Sequence, residues 1–173
     1  MMIFLTYRQK RQLIALSSRV LLLFLLVINA GCAKEIEGRV IGIADGDTIF
    51  IVEKGTNLKM TVRLLDIDAP ERQQAFGNRS RQSLSNLCFK TSVRIESPGR
   101  DRYDRVLGHV FCNGVDVNAE QVRRGMAWVY SRFLSDESLY KLQDEARAAK
   151  RGLWSDGEPE APWRFRRYNE MVY

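Results

Sequence analysis

Apolar and polar residues begin to alternate at Ile36. Ile36, the step Arg39-Val40-Ile41 and Ile43 predict a strand. Asp45-Gly46 follows as a turn, then a second β-branched run from Thr48 to Val52. Another turn, Lys54 to Asn57, leads into a third run, Leu58 to Leu65. Two turn signals between three such runs predict a three-stranded meander. Pro70 breaks the pattern and biases Ala69 away from helix. Leu84, Leu87 and Cys88 at helical spacing predict a helix over about 76–89, with Gly77 leaving its start undefined. Thr91 to Ile95 and Val106 to Phe111 predict two more strands, the second closed by Asn113-Gly114. Asn118 is the expected N-cap of a short helix ending near Gly125. Ser135, followed by Asp136 and Glu137, is the expected cap of a longer helix. Its apolar stripe is Leu139, Leu142, Ala146 and Ala149, and Gly152 ends it. The tail from Glu158 to Tyr173 carries two prolines and a basic-aromatic cluster. Five strands with about three helices predict an α+β domain, a small closed β-barrel of the OB-fold kind with helices packed on it.

The first 33 residues read differently. Arg8, Lys10, Arg11 and Arg19 precede an unbroken apolar run, Val20 to Ile28, nine residues long. A membrane-spanning helix needs roughly 20 apolar residues, so the run is too short to span. Its length and basic flank predict an export signal over residues 1–33, ahead of one domain over 34–173. Asn29-Ala30-Gly31-Cys32 resembles a bacterial lipoprotein box, with Asn29 where an aliphatic residue is usual. Lipidation of Cys32, which would anchor the protein to a membrane, and ordinary cleavage after Ala33 both stay open. Either predicts a periplasmic or extracellular location.

That assignment changes the meaning of the charge. The whole chain has 27 basic and 21 acidic residues, a net of +6. The first 33 residues hold four of the basic ones and none of the acidic, leaving a net of +2 for the rest. Net charge is then no argument for nucleic-acid binding, and the case must come from a site. Cys88 and Cys112 remain as a pair in an oxidising compartment, which favours a disulfide over two buried thiols.

Several chemistries drop out. The single histidine, His109, sits inside an apolar run and reads as a structural strand residue, so two-histidine mechanisms are excluded. The cysteines are too few for a zinc site, and no Gly-rich phosphate loop is present. Carboxylates and guanidiniums remain, in three segments: Asp45-Gly46-Asp47-Thr48, Arg63 to Glu71, and Asp101-Arg102-Tyr103-Asp104-Arg105. Taken singly, each has a bland reading as a hairpin turn or solvated charges. Taken together, Arg63, Asp66 and Asp68 flank a Leu- and Ile-rich strand whose burial would force the charges to find partners. Alternation puts Asp66 and Asp68 on one face. Paired carboxylates suit a hard cation such as calcium, and two arginines suit a phosphate.

Those three segments, in that order, resemble the staphylococcal nuclease (thermonuclease) family. Val115 to Asn118, Gly125-Met126-Ala127, Gly152-Leu153-Trp154 and Pro162-Trp163-Arg164 extend the resemblance over about residues 36–167. The resemblance implies a calcium-dependent endonuclease that hydrolyses DNA and RNA toward 3′-phosphate products, acts as a monomer and prefers single strands. It implies Asp47, Asp68 and the backbone carbonyl of Ala69 as calcium ligands, and Glu71 as the group that activates or orients water. Arg63 and Arg105 match the phosphate clamp, Tyr103 a nucleotide contact, and Asp45 and Thr48 supports of the metal loop. The family usually has glycine where this chain has Asp104. The alternative is an OB-fold module that binds nucleic acid without cutting it. Retention of Arg63, Glu71 and Arg105 together argues for the enzyme.

Overall fold

The computed structural model describes residues 34–130 and 136–172. The expected export segment, Cys32 and Ser135 lie outside them. The meander forms as predicted: β1 (Lys34–Ile43), β2 (Thr48–Glu53) and β3 (Lys59–Leu64) pair antiparallel in sequence. β4 is the short Ile67–Asp68, and α1 is Gly77–Cys88. β5 (Ser92–Arg100) and β6 (Val106–Cys112) form a long hairpin. β7 (Val115–Asp116) leads into α2 (Val117–Arg123) and β8 (Trp128–Val129). α3 (Ser138–Ala148), a 3₁₀ turn (Gly152–Ser155) and α4 (Pro162–Val172) complete the chain.

The sheet order β3-β2-β1-β5-β6 closes on itself, because β6 also pairs parallel with β3. This is a five-stranded closed barrel, the predicted fold class. The inward positions of each strand fill it: Val40, Ile49, Ile51, Val62, Leu64, Ile95, Val106 and Val110 are all at most 1% exposed. β5 runs further than its sequence pattern predicts. Pro98 sits at a register break between Glu96 and Gly99, where a missing N–H costs no ladder bond.

One cap differs from the sequence reading. Asp116, not Asn118, caps α2: its side chain accepts the N–H of Ala119 at 3.0 Å. Asn118 is fully buried at the barrel seam instead. It accepts from the Val110 N–H and donates to the carbonyls of Leu65 and Gly108. Both residues are cap formers, and only the seam's unpaired backbone groups decide between them. In α3, Leu139 and Ala146 are buried and Leu142 packs on the core, while Ala149 is exposed at the C-cap. A fourth helix, α4, occupies the stretch read from sequence as a tail.

Cys88 at the end of α1 is bonded to Cys112 at the end of β6, with 5.3 Å between Cα atoms. The bridge closes a loop of sequence separation 24, which stabilises by about 3 kcal/mol through the unfolded chain. Replacing both cysteines by alanine is expected to lower the denaturant midpoint accordingly. An unchanged midpoint would refute the bridge's contribution.

Candidate active site

The loop between β1 and β2 carries Asp47, and it is pinned from below. A Cβ at Gly46 would lie 1.8 Å from Ser80 Oγ and 2.7 Å from Ala69 Cβ, so only glycine fits against α1 there. Buried Gln121 of α2 donates to the Gly46 carbonyl at 2.7 Å. Asp45 accepts the Asp47 N–H at 3.1 Å, and the Thr48 hydroxyl donates to Asp47 Oδ1 at 3.0 Å. Burial, and then the charge of Asp47, push the Asp45 carboxyl up to about 6.

Arg63 leaves the end of β3 and gathers the second segment around itself. Its Nη1 donates to the carbonyls of Leu64 and Ile67, at 2.6 and 2.9 Å. Its Nη2 lies 3.1 Å from Asp68 Oδ1 and 3.2 Å from Asp47 Oδ2. The Ala69 N–H donates to Asp47 Oδ2 at 2.7 Å. Two buried carboxylates, one from the β1–β2 loop and one from β4, therefore converge on one guanidinium nitrogen. Burial pushes the Asp68 carboxyl above its ordinary value, against the lowering effect of its arginine partners.

Asp66 does not join them. β3 ends at Leu64, and Asp66 takes a left-handed turn conformation, φ 62°. The turn interrupts the alternation that would have put it beside Asp68. Its carboxylate is buried near the His109 ring, 3.4 Å from Nε2.

Glu71 follows Pro70 in a tight stretch before α1. Its N–H donates to Gln74 Oε1 at 3.1 Å, and Gln74 in turn donates to the Glu160 carbonyl at 2.6 Å. Gly77 opens α1, and the position excludes a side chain: a Cβ there would sit 1.9 Å from the Glu71 carbonyl oxygen. The close approach of backbone to backbone explains the glycine that obscured the helix start.

One residue of the site went unread in the sequence: Arg166, in α4. It donates through Nη1 and Nη2 to both Asp68 oxygens, at 3.2 and 2.7 Å, and through Nη1 to Glu71 Oε1 at 2.7 Å. Three residues earlier, Trp163 packs on Trp128 and Tyr130, with ring centroids 5.6 and 5.8 Å apart. Trp128 pairs with Asp68 across β8 and β4, so that docking fixes Arg166 beside the carboxylates. The basic-aromatic cluster was the available signal, but without a helix its arginines had no assigned face.

Arg105 and Tyr103 stand on the turn between β5 and β6. Arg105 is held by Asp101, its Nε and Nη2 each 2.8 Å from Oδ2. Tyr103 is 64% exposed and lies under the guanidiniums of Arg102 and Arg105. The described contacts of Arg105 do not reach Asp47, Asp68 or Glu71. Asp104 adopts φ 61°, the left-handed conformation that glycine takes most easily. Its carboxylate pairs with Arg100 at 3.1 Å rather than with Arg105.

A cation at this centre would rest on Asp47, Asp68, a backbone oxygen such as that of Ala69, and water. Among the described residues, no three His, Cys, Asp or Glu side chains form a metal-holding group. The donors present are all oxygens and suit a hard cation that keeps part of its water shell.

Comparison with known proteins agrees with the motifs. The family model described as "Staphylococcal nuclease homologue" matches residues 61–156. An uncharacterized endonuclease of Haemophilus influenzae is 40% identical, over 87% of this chain and 84% of its own length. A micrococcal nuclease of Shigella flexneri is 38% identical, over 82% of this chain and 87% of its own. A probable staphylococcal-like nuclease of Oryza sativa is 36% identical over 109 residues, 30% of its own length. A closed barrel with an acidic and guanidinium-rich rim is the class of structure these residues build. The chain belongs to the staphylococcal nuclease family.

Proposed function

We propose that this nuclease is a calcium-dependent endonuclease that hydrolyses DNA and RNA to products ending in 3′-phosphate. The observation that carries the reading is the convergence of Asp47 and Asp68 on one Arg63 nitrogen. Buried carboxylates held this close repel each other unless positive charge lies between them. Asp47, Asp68 and the Ala69 carbonyl would hold the calcium, which supplies a fixed double charge beside the phosphodiester.

Arg63 and Arg105 bring guanidinium donors to the phosphate, neutralising the ground-state charge and the charge added on attack. Glu71 lies beside this centre as an acceptor; it takes a proton from the attacking water or orients it. Tyr103, exposed next to Arg105, offers a face for the nucleotide. Asp45 and Thr48 keep the Asp47 carboxylate aimed at the centre. The basic, apolar N-terminal segment supports export.

The test is incubation with single-stranded DNA, with calcium and with excess chelator. Cleavage with calcium and none with chelator is expected. Undiminished cleavage in chelator would overturn the calcium assignment. Binding of single strands without cleavage under any cation would favour the non-cutting module.

A further inference from the structure

Arg166 touches the two carboxylates that the proposed function needs free. A carboxylate has about four lone-pair positions. At Asp68, Arg63 and Arg166 together take three: Oδ1 accepts from both, and Oδ2 accepts from Arg166. The same Arg166 Nη1 also holds Glu71 Oε1. The guanidinium therefore sits between a candidate cation ligand and the candidate water-orienting group. A divalent cation on Asp68 Oδ2 would stand within a few ångströms of that guanidinium, like charge against like charge.

Release of Arg166 is also structurally easy. Its side chain is 41% exposed, against 3% for Asp68, so it can turn to solvent while the carboxylate cannot. α4 stays docked independently through Trp163 on Trp128 and Tyr130, and the Gln74 bond to the Glu160 carbonyl holds the chain just before it.

We propose that Arg166 is a positioning residue of the cation site, an internal cation that holds Asp68 and Glu71 together until a divalent cation displaces it. The inference rests on the calcium reading above. The C-terminal helix thereby keeps buried Asp68 and half-buried Glu71 neutralised and in place without metal, and it sets how much cation is needed to fill the site.

The experiment is calorimetric titration of the full chain with calcium, without substrate, for four forms: the parent, Arg166→Gln, Arg166→Lys and Arg167→Gln. Arg167 is exposed on the same helix, so its loss removes an equal charge without touching the carboxylates. Arg166→Gln is expected to tighten calcium binding about tenfold relative to Arg167→Gln, with Arg166→Lys in between. In the parent, calcium should also enhance the exchange of the Arg166 Nη–H protons seen by NMR, as the carboxylate bonds they make break. Equal calcium affinity for Arg166→Gln and Arg167→Gln, or an Arg166 signal unmoved by calcium, would overturn the proposal while leaving the calcium reading intact. No calcium binding by any form would overturn both.

Discussion

Glutamine in place of Glu71 is expected to slow DNA cleavage by at least about a hundredfold while leaving the protein folded. Glu71 is only partly buried, so its loss removes no core packing. Glutamine keeps an oxygen that Arg166 can still reach, but it cannot accept a proton and accepts from water more weakly. A lost transition-state contact is worth about a hundredfold or more. Arg105→Ala should match that loss for a different reason, since it removes the guanidinium proposed to bind the phosphate. A nucleotide inhibitor separates the two: its affinity should fall in Arg105→Ala and hold in Glu71→Gln. Near-parental cleavage by both variants would refute the roles given to these residues.

Removing Arg63 is expected to damage stability as well as activity. Its side chain is 16% exposed, and it is the cation shared by Asp47 and Asp68, which are 7% and 3% exposed. Taking one partner from a buried ion pair typically costs about 3–5 kcal/mol, because the remaining charge stays buried and uncompensated. Arg63→Ala leaves two such carboxylates, with only Arg166 near Asp68. It also leaves the Leu64 and Ile67 carbonyls without their guanidinium donor. The variant should unfold at markedly lower denaturant without calcium. Calcium should restore part of the difference, because a cation that binds only the folded form stabilises it by mass action. Thermal melts with and without calcium read both effects. An Arg63→Ala midpoint equal to the parent's, with or without calcium, would remove this residue from the centre of the site.

Local sequence determined the strands of the barrel. Period-two apolar runs separated by Asp-Gly and Asn-Gly turns leave few alternatives to short antiparallel strands, and the runs from Thr48 and Val106 begin where the strands do. It also pointed to Arg63, Asp66 and Asp68, because charges beside a Leu-rich strand must find partners once the strand is buried, while Asp47 and Glu71 took their roles from the family resemblance. What local sequence could not carry were choices made by distant groups. Asp66 and Asp68 alternate on paper, but a left-handed turn at Asp66 sends one to His109 and the other to Arg63. Asn118 and Asp116 are equal as caps until the seam between β3 and β6 claims the asparagine. Arg166 is 95 residues from Glu71 and reaches it only because Trp163 docks on the strand paired with Asp68. A periodic pattern reports which face of an element is buried. Which buried charge meets which is settled by tertiary packing, where desolvation forces every carboxylate to the nearest available donor.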